Sequence, residues 1–367
     1  MLVPNWTLMD CSFTAGADSA AAGWQAFAAR SVVPSGLNSP ELILPALRRF
    51  EGGQLAVVRD HDAVRMVLPV ARRRFPLPLL GNWTSPINFP VAPHLDADMA
   101  VPALTAFLRQ AGQPVILQGV PQSGPFWDAL TAAAGHIAIL DQWQRAGLEL
   151  TGSYAQWFER NFERKRRKEY RRLRARLSEQ GRFEARSLGS GADTGPWVDA
   201  FLDVEAAGWK GDGGTAVKAD PRAARALGEA ARGLAAAGKL RFWQLSLDGR
   251  AVAMLFAVVE GGEAWLGKIA HDPAFARFSP GVLLILHATE QLFAEGGIVR
   301  VDSCAIPDHP MIDGIWRGRI AVADVMLAAP TVGAARFSAN LAAERLRRRL
   351  RVTFRDLFYK LSGRHRS

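Results

Sequence analysis

The stretch KLRFWQLSLDGRAVAMLFAVVEGGEAWLGKIAHD, residues 239–272, decides the architecture of this chain. It holds three β-prone runs, KLRFWQLSL, RAVAMLFAVVE and EAWLGKIAHD, divided by Asp248-Gly249 and Gly261-Gly262. Asp-Gly and Gly-Gly supply the positive φ that two-residue hairpin turns need, so the stretch predicts a three-stranded antiparallel meander. Next comes RFSPGVLLILHATEQLF, residues 277–293, whose apolar spacing predicts a helix from Pro280 to Ala294, closed by Gly296-Gly297. IVRVDS, residues 298–303, then reads as a buried strand. The expected order is three meander strands, helix, strand.

The start of that helix is chemically pointed. Ser279 suits an N-cap, Pro280 the first helical position, and Gly281 removes a side chain beside them. Unpaired amides at a helix start attract phosphate oxygens, and Arg277 would add a charge-assisted partner. The plain alternative is a capped helix with a surface arginine.

Working outward, the first half repeats the rhythm more faintly. QLAVVR (54–59), a turn at 60–62 and AVRMVLPVARRRF (63–75) predict a hairpin. A helix near 98–111, the strand PVILQGV (114–120), a helix near 125–134 and the strand HIAILD (136–141) come after it. Residues 76–93, rich in Pro and Gly, read as a surface loop or partly extended segment. Tyr154 to Gly181 reads as one long basic amphipathic helix, and residues 333–361 as another. The fold class expected is thus α/β (α+β), a duplicated unit with mixed, mostly antiparallel sheets flanked by helices. The expected divisions are 1–150, a connecting helix at 151–181, 182–330, and a C-terminal helix at 331–367.

The net charge of +10 is concentrated. Residues 156–181 carry ten Lys/Arg against four Glu, and residues 336–367 ten against two acids; outside them 25 basic side chains meet 29 acidic ones. A mildly acidic body argues against a nucleic-acid-binding fold but leaves an anionic partner open at the two basic segments. The C-terminal segment sets Leu346, Leu350, Phe354, Leu357, Phe358 and Leu361 opposite arginines, as a helix lying on an anionic membrane surface would; docking on the body is the other reading. The opening MLVPNWTLMD lacks the basic-then-apolar order of a secretory signal, and only Cys11 and Cys304 occur. A cytoplasmic protein without metal-binding motifs is expected.

The meander, glycine-bearing turn, helix and strand resemble the core of the GNAT acyltransferase superfamily. More narrowly, FERKRRKEYRRLRARLSEQGRFE, EAAGWKGDGGTA, FSPGVLL and the VDS…HPMIDGIW region resemble CelD-like, FemAB-related acyltransferases with tandem GNAT-like halves. The resemblance implies that acyl-coenzyme A binds the C-terminal half, with Arg277, Ser279, Gly281 and Val282 at the pyrophosphate. The pantetheine arm would lie along Lys268, Ile269 and the strand at Ile298–Asp302. The N-terminal half would have no catalytic role. Two features depart from the superfamily: Gly281 comes one place late after Arg277 with Leu283 at the second small position, and no tyrosine precedes Tyr359 in the C-terminal half to protonate a thiolate.

Other candidates stand beside plainer readings. Asp302 ends a buried strand and Glu205 precedes a glycine-rich loop, so either would take a proton from the acceptor; a helix cap and an exposed acid are the alternatives. Trp209, Lys210 and His309 are candidate substrate contacts. Lys268 faces cleft or solvent, and Asp313 with Arg317 would form a surface ion pair. The expected activity is direct acyl transfer from acetyl- or another acyl-coenzyme A to an amine or hydroxyl of a sugar or exopolysaccharide-related acceptor. The alternative is a binding module whose basic helices dock an anionic polymer or membrane.

Overall fold

A computed structural model describes residues 10–14, 18–31, 35–74, 76–87, 93–208 and 216–362 of the chain. The first half runs β1 (Asp10–Thr14), α1 (Asp18–Ala28), α2 (Pro40–Leu47), β2 (Gly53–Asp60), β3 (Ala63–Arg73), β4 (Leu79–Asn82), β5 (His94–Leu95), α3 (Ala100–Ala111), β6 (Val115–Pro121), α4 (Pro125–Ala133) and β7 (His136–Glu149). The second continues with α5 (Tyr154–Asn161), α6 (Arg164–Ser178), β8 (Phe183–Ser187), α7 (Gly195–Ala207), α8 (Pro221–Ala236), β9 (Leu240–Leu247), β10 (Arg250–Glu260), β11 (Glu263–His271), α9 (Pro280–Glu295), β12 (Arg300–Asp302) and β13 (Gly318–Ala328). A last helix, α10, spans Ala334–Ser362.

The meander forms as its turns require. Asp248 and Gly249 sit at φ 50° and 81°, and Gly261 and Gly262 at 56° and 78°, the paired positive angles of a tight hairpin. β10 is buried along nearly its whole length because helices cover both faces, which explains its unbroken apolar run. β11 and β12 pair in parallel through Glu263–Arg300, Ala264–Val301 and Trp265–Asp302.

All strands join one sheet in the order β1-β2-β3-β4-β6-β13-β7-β12-β11-β10-β9-β8, with β5 beside β3. The two halves interlock at the middle. β13, from the end of the chain, inserts between β6 and β7 of the first half, while β7 inserts between β12 and β13 of the second. β7 manages both because it is fourteen residues long: His136–Gly147 pairs with β13 and Gly147–Glu149 with β12. One core lies under α1, α2, α7 and α8 and draws on both halves, joining Trp24 and Leu42 to Phe201, Leu227 and Met254. The opposite face has separate cores, under α5, α6 and α9 in the second half and under α3 and α4 in the first.

Several expectations change. The basic helix is two helices: Phe162 is extended (φ −127°, ψ 137°) and buried at the break, edge-on to Trp157 and Tyr170, so a core contact outweighs helical continuity. α6 then ends at Ser178, before Gly181. The 76–93 segment contains β4, and Trp83 and Ile87 beside it are buried. The Asp313–Arg317 ion pair is not formed among the described residues; Asp313 instead accepts from Arg319 through its main-chain oxygen.

Candidate active site

After Trp265 and Asp302 the parallel pair separates. β12 stops, whereas β11 continues six residues to His271. The alternate main-chain groups of 266–271 on the β12 side therefore lose a strand partner, and the gap between the parting strands is the candidate cleft. Within this free stretch β11 carries a bulge: the pairing with β10 runs from Leu255–Ile269 to Ala257–Leu266, leaving Gly267 and Lys268 both opposite Phe256. A Cβ at Gly267 would stand 2.1 Å from the Phe256 ring, so only glycine fits there. The bulge turns Lys268 towards α7, where its Nζ lies 3.4 Å from Glu205 Oε1. Lys268 thus faces neither solvent nor an empty cleft but a carboxylate. Ile269 packs on the α9 side.

Glu205 is 2% exposed. It is held by α7 through the apolar face Val198, Phe201, Leu202 and Val204, and its Oε2 accepts from the Val217 amide at 2.8 Å. A buried polar group without such partners would be costly. α7 ends at Gly208 beside the main-chain oxygen of His271. Trp209 and Lys210 lie outside the described residues.

The start of α9 borders the same mouth. Ser279 is the N-cap residue but sits in the left-handed region (φ 51°, ψ 53°), and its side chain makes no cap hydrogen bond. The expected Ser279 cap is therefore absent: the chain enters the helix through a left-handed turn in which the hydroxyl bonds no first-turn amide. Pro280 has no N–H and Leu283 bonds back to Ser279, which leaves the amides of Gly281 and Val282 as the free donors of the turn. A Cβ at Gly281 would meet Met311 Sδ at 2.9 Å and His271 Nδ1 at 3.8 Å. Met311 is placed there by His309, whose Nδ1 accepts from the Met311 amide at 3.3 Å. His309 thus shapes the loop over the turn. Arg277 is exposed, stacks its guanidinium 4.7 Å from the Phe278 ring centre and donates to Gln180 at 3.3 Å.

Asp302, at the end of β12, is buried and bound on both oxygens. Arg145 Nη2 donates to Oδ2 at 2.6 Å and the Cys304 amide to Oδ1 at 2.8 Å. Burial, reinforced by the Asp302 charge, pushes the Cys304 thiol well above its usual range, so it stays a neutral thiol. The sequence reading missed Arg145. It stands on β7 in the other half, 157 residues from its partner, and its only local sign is a charge flanking the apolar Ala146 in QWQRAGLE. Met311 carried no signal at all. The residues suit a coenzyme A pyrophosphate: two free amides, no side chain at Gly281, and an exposed guanidinium four residues before it.

Residues 164–309, from α6 through the loop after β12, match the family model for an acetyltransferase (GNAT) domain. The second half of the chain thus carries a GNAT-type acetyltransferase domain. No curated protein matches it. Among solved structures, the C-terminal DUF2156 domain of a protein assigned as a lysylphosphatidylglycerol synthetase from Agrobacterium fabrum superposes with TM-score 0.55 at 10% identity, over 90% of this chain and 96% of that one. FemX gives 0.55 at 10% identity over 83% and 95%, and L-PGS from Bacillus licheniformis 0.52 at 10% over 88% and 95%. At these identities the likeness concerns the fold, and it spans both halves. Within the GNAT domain, the cleft and the α9 turn come together with Lys268, Glu205 and Asp302. His309 bonds the Met311 amide, and Met311 lies over Gly281.

Proposed function

We propose that the C-terminal half transfers an acyl group from acyl-coenzyme A to an acceptor amine or hydroxyl in the β11–β12 cleft. The observation that carries this reading is the α9 start, with its two free amides and its bare Gly281, beside His271 at the far end of the stretch over which β11 has no β12 partner. Gly281, Val282 and Arg277 hold the pyrophosphate, Ser279 lines the turn, and Lys268 and Ile269 flank the pantetheine arm. Bound acyl-coenzyme A supplies the activated thioester carbonyl. An unpaired main-chain N–H of 266–271 faces the carbonyl oxygen and stabilises negative charge developing there. Holding both substrates in one cleft supplies proximity without a covalent enzyme intermediate.

Glu205 takes the acceptor's proton, with the Lys268 ammonium 3.4 Å from its Oε1. Asp302 is the second candidate, but Arg145 and the Cys304 amide already bind both of its oxygens, and its role is to hold the strand end. Trp209 and Lys210 contact the acceptor, in keeping with their place after α7. The N-terminal half serves as scaffold. The sequence resemblance to CelD-like, FemAB-related enzymes supports a sugar or exopolysaccharide-related acceptor.

A second role is docking of α10 on an anionic membrane surface. It is supported by Leu346, Leu350 and Phe354, which are 58%, 48% and 66% exposed on a helix with Arg349 and Arg351 between them. Among the described residues no helix is long and apolar enough to cross a membrane.

The test is thermal unfolding across an acetyl-coenzyme A titration, followed by release of free thiol with candidate amino sugars. Saturable stabilisation and acceptor-dependent thiol release are expected. No stabilisation by acetyl-, longer acyl- or free coenzyme A would overturn the reading.

A further inference from the structure

A cavity of about 120 Å³ lies on the α9 side of the sheet, enclosed by α5, α6, α9, β8 and β9. β10 separates its floor from the β11–β12 cleft, a distance of roughly 14 Å at about 4.8 Å per strand. The walls are mostly apolar, with Phe158 and Phe183 facing Leu245, Leu283 and Leu286. A void of this size is close to the engineered cavities of about 150 Å³ that hold a benzene ring.

Its polar groups are unusual. Arg171 and Arg174 of α6 line it without an ion pair among the described residues, and Arg174 lies 5.5 Å over the Phe183 ring. His287 of α9 also lines it, and its Nε2 is buried with no hydrogen-bond partner among the described residues. Burial, with the nearby Arg174 charge, lowers the His287 pKa and favours a neutral imidazole. Burial, with the Glu290 charge, raises that of Tyr154, which stays a neutral phenol. Glu290 is the one acidic lining group and stands one turn beyond His287. The cavity therefore pairs an apolar body with two guanidinium groups that have no ion pair among the described residues, and leaves a buried ring nitrogen unsatisfied, a cost that a bound acceptor group would remove.

We propose that this cavity is a second ligand site, separate from the acyl-transfer cleft, which binds a small carboxylate bearing a compact aromatic or branched apolar group. The carboxylate lies at Arg171, Arg174 and His287, away from Glu290. The ring or branched chain fills the space between Phe158, Phe183 and Leu286.

The probe is phenylacetate, titrated calorimetrically into the full-length protein, with 2-phenylethanol as a body without charge and acetate as a charge without body. Saturable phenylacetate binding is expected, with both controls at least about tenfold weaker. Arg174→Gln, on the exposed side of α6, should weaken phenylacetate about tenfold and leave 2-phenylethanol unchanged. Ala185→Phe, which fills the cavity from β8, should abolish binding while acetyl-coenzyme A still stabilises the protein. Should Ala185→Phe fail to fold, Arg174→Gln decides. Absence of saturable phenylacetate binding, equal affinity for phenylethanol, or undiminished binding in either variant would overturn the proposal.

Discussion

The two halves share a strand order but treat the gap between their parallel strands in opposite ways. In the second half, β11 and β12 part beneath the α9 turn, and main-chain groups are left facing a cleft. In the first, β4 and β6 pair only at Leu80–Val115 and Gly81–Ile116, and the adjoining surface is filled. Phe337 and Leu341 of α10 pack there with Leu79, Ile116 and Met326. Arg73 lies along Gly81, its pKa lowered by burial among Glu344, Arg347 and Arg348 of the same helix. The next helix of that half, α3, starts at Met99 without a side-chain cap, and Ala100, Val101 and Pro102 open it instead of a glycine turn. One duplicated frame thus yields one half with a cleft and one half packed shut, and the plug is the chain's own C-terminal helix.

Each half also has one buried ion pair at its exchanged strand, and this gives the largest test. In the second half, Arg145–Asp302 is 8% exposed on both sides. In the first, Arg348–Asp324 is 21% and 8% exposed, and Asp324 keeps the Gly119 amide at 2.9 Å. Arg145→Ala should cost about 3–5 kcal/mol, because it strands a buried carboxylate. Arg348→Ala should cost clearly less, since water reaches the site. Urea unfolding of both variants checks this; equal costs would break the contrast between a dry pair and a wet one.

The seam between halves provides the next. Glu260 at the end of β10 accepts from His94 at 2.7 Å and the Ser35 amide at 3.1 Å, and pairs with Lys239 at 2.8 Å; His94 in turn accepts from Trp24. Burial alone would raise its pKa, but His94 and Lys239 outweigh burial and draw it from the ordinary 4.5 to about 2. A depressed carboxyl stabilises the fold above its unfolded pKa and loses that contribution as pH falls through the folded one. Melting temperature should therefore drop between about pH 4.5 and 2, by an amount worth roughly 3 kcal/mol, and Glu260→Gln should flatten that limb. An unchanged acid limb in the variant would show that the halves are not held together here.

Much of this was legible because it was local. The hairpin dipeptides, the Pro280 start and Gly296 stop of α9, and the apolar run of β10 each report their own backbone requirement within a few residues. What escaped was decided at a distance. Nothing near residue 318 announces that β13 will enter the other half, and a strand of that composition reads alike in either place. The bulge at Gly267–Lys268 sent Lys268 to a carboxylate instead of to cleft or solvent, since one extra residue in a strand flips the later side chains to the other face. Phe162 broke a helix that its neighbours favoured, because burying an aromatic ring outweighs the propensity of a few arginines.

Gly281→Glu addresses the cleft itself. The new side chain meets Met311 and sets a carboxylate against a phosphate, so it should remove the stabilisation of about 2.7 kcal/mol that a ligand at 100 times its Kd provides. Ala100→Glu at the corresponding start of α3 should leave the ligand response intact. A response lost in both would end the distinction between the halves.

The smallest effect distinguishes a helix start from a ligand site. Ser279 holds φ 51° without a cap bond, so a glycine there relieves left-handed strain and forfeits no hydrogen bond within the protein. Ser279→Gly should raise unliganded stability by about 0.5–1 kcal/mol, where loss of a working cap would instead lower it by about as much. If the hydroxyl reaches a phosphate oxygen, the same variant should bind acetyl-coenzyme A several-fold more weakly. Stability gained and affinity lost in one substitution means that the turn keeps a strained serine for its ligand. A variant that is more stable and binds equally well removes Ser279 from the site and leaves the pyrophosphate to the Gly281 and Val282 amides and Arg277.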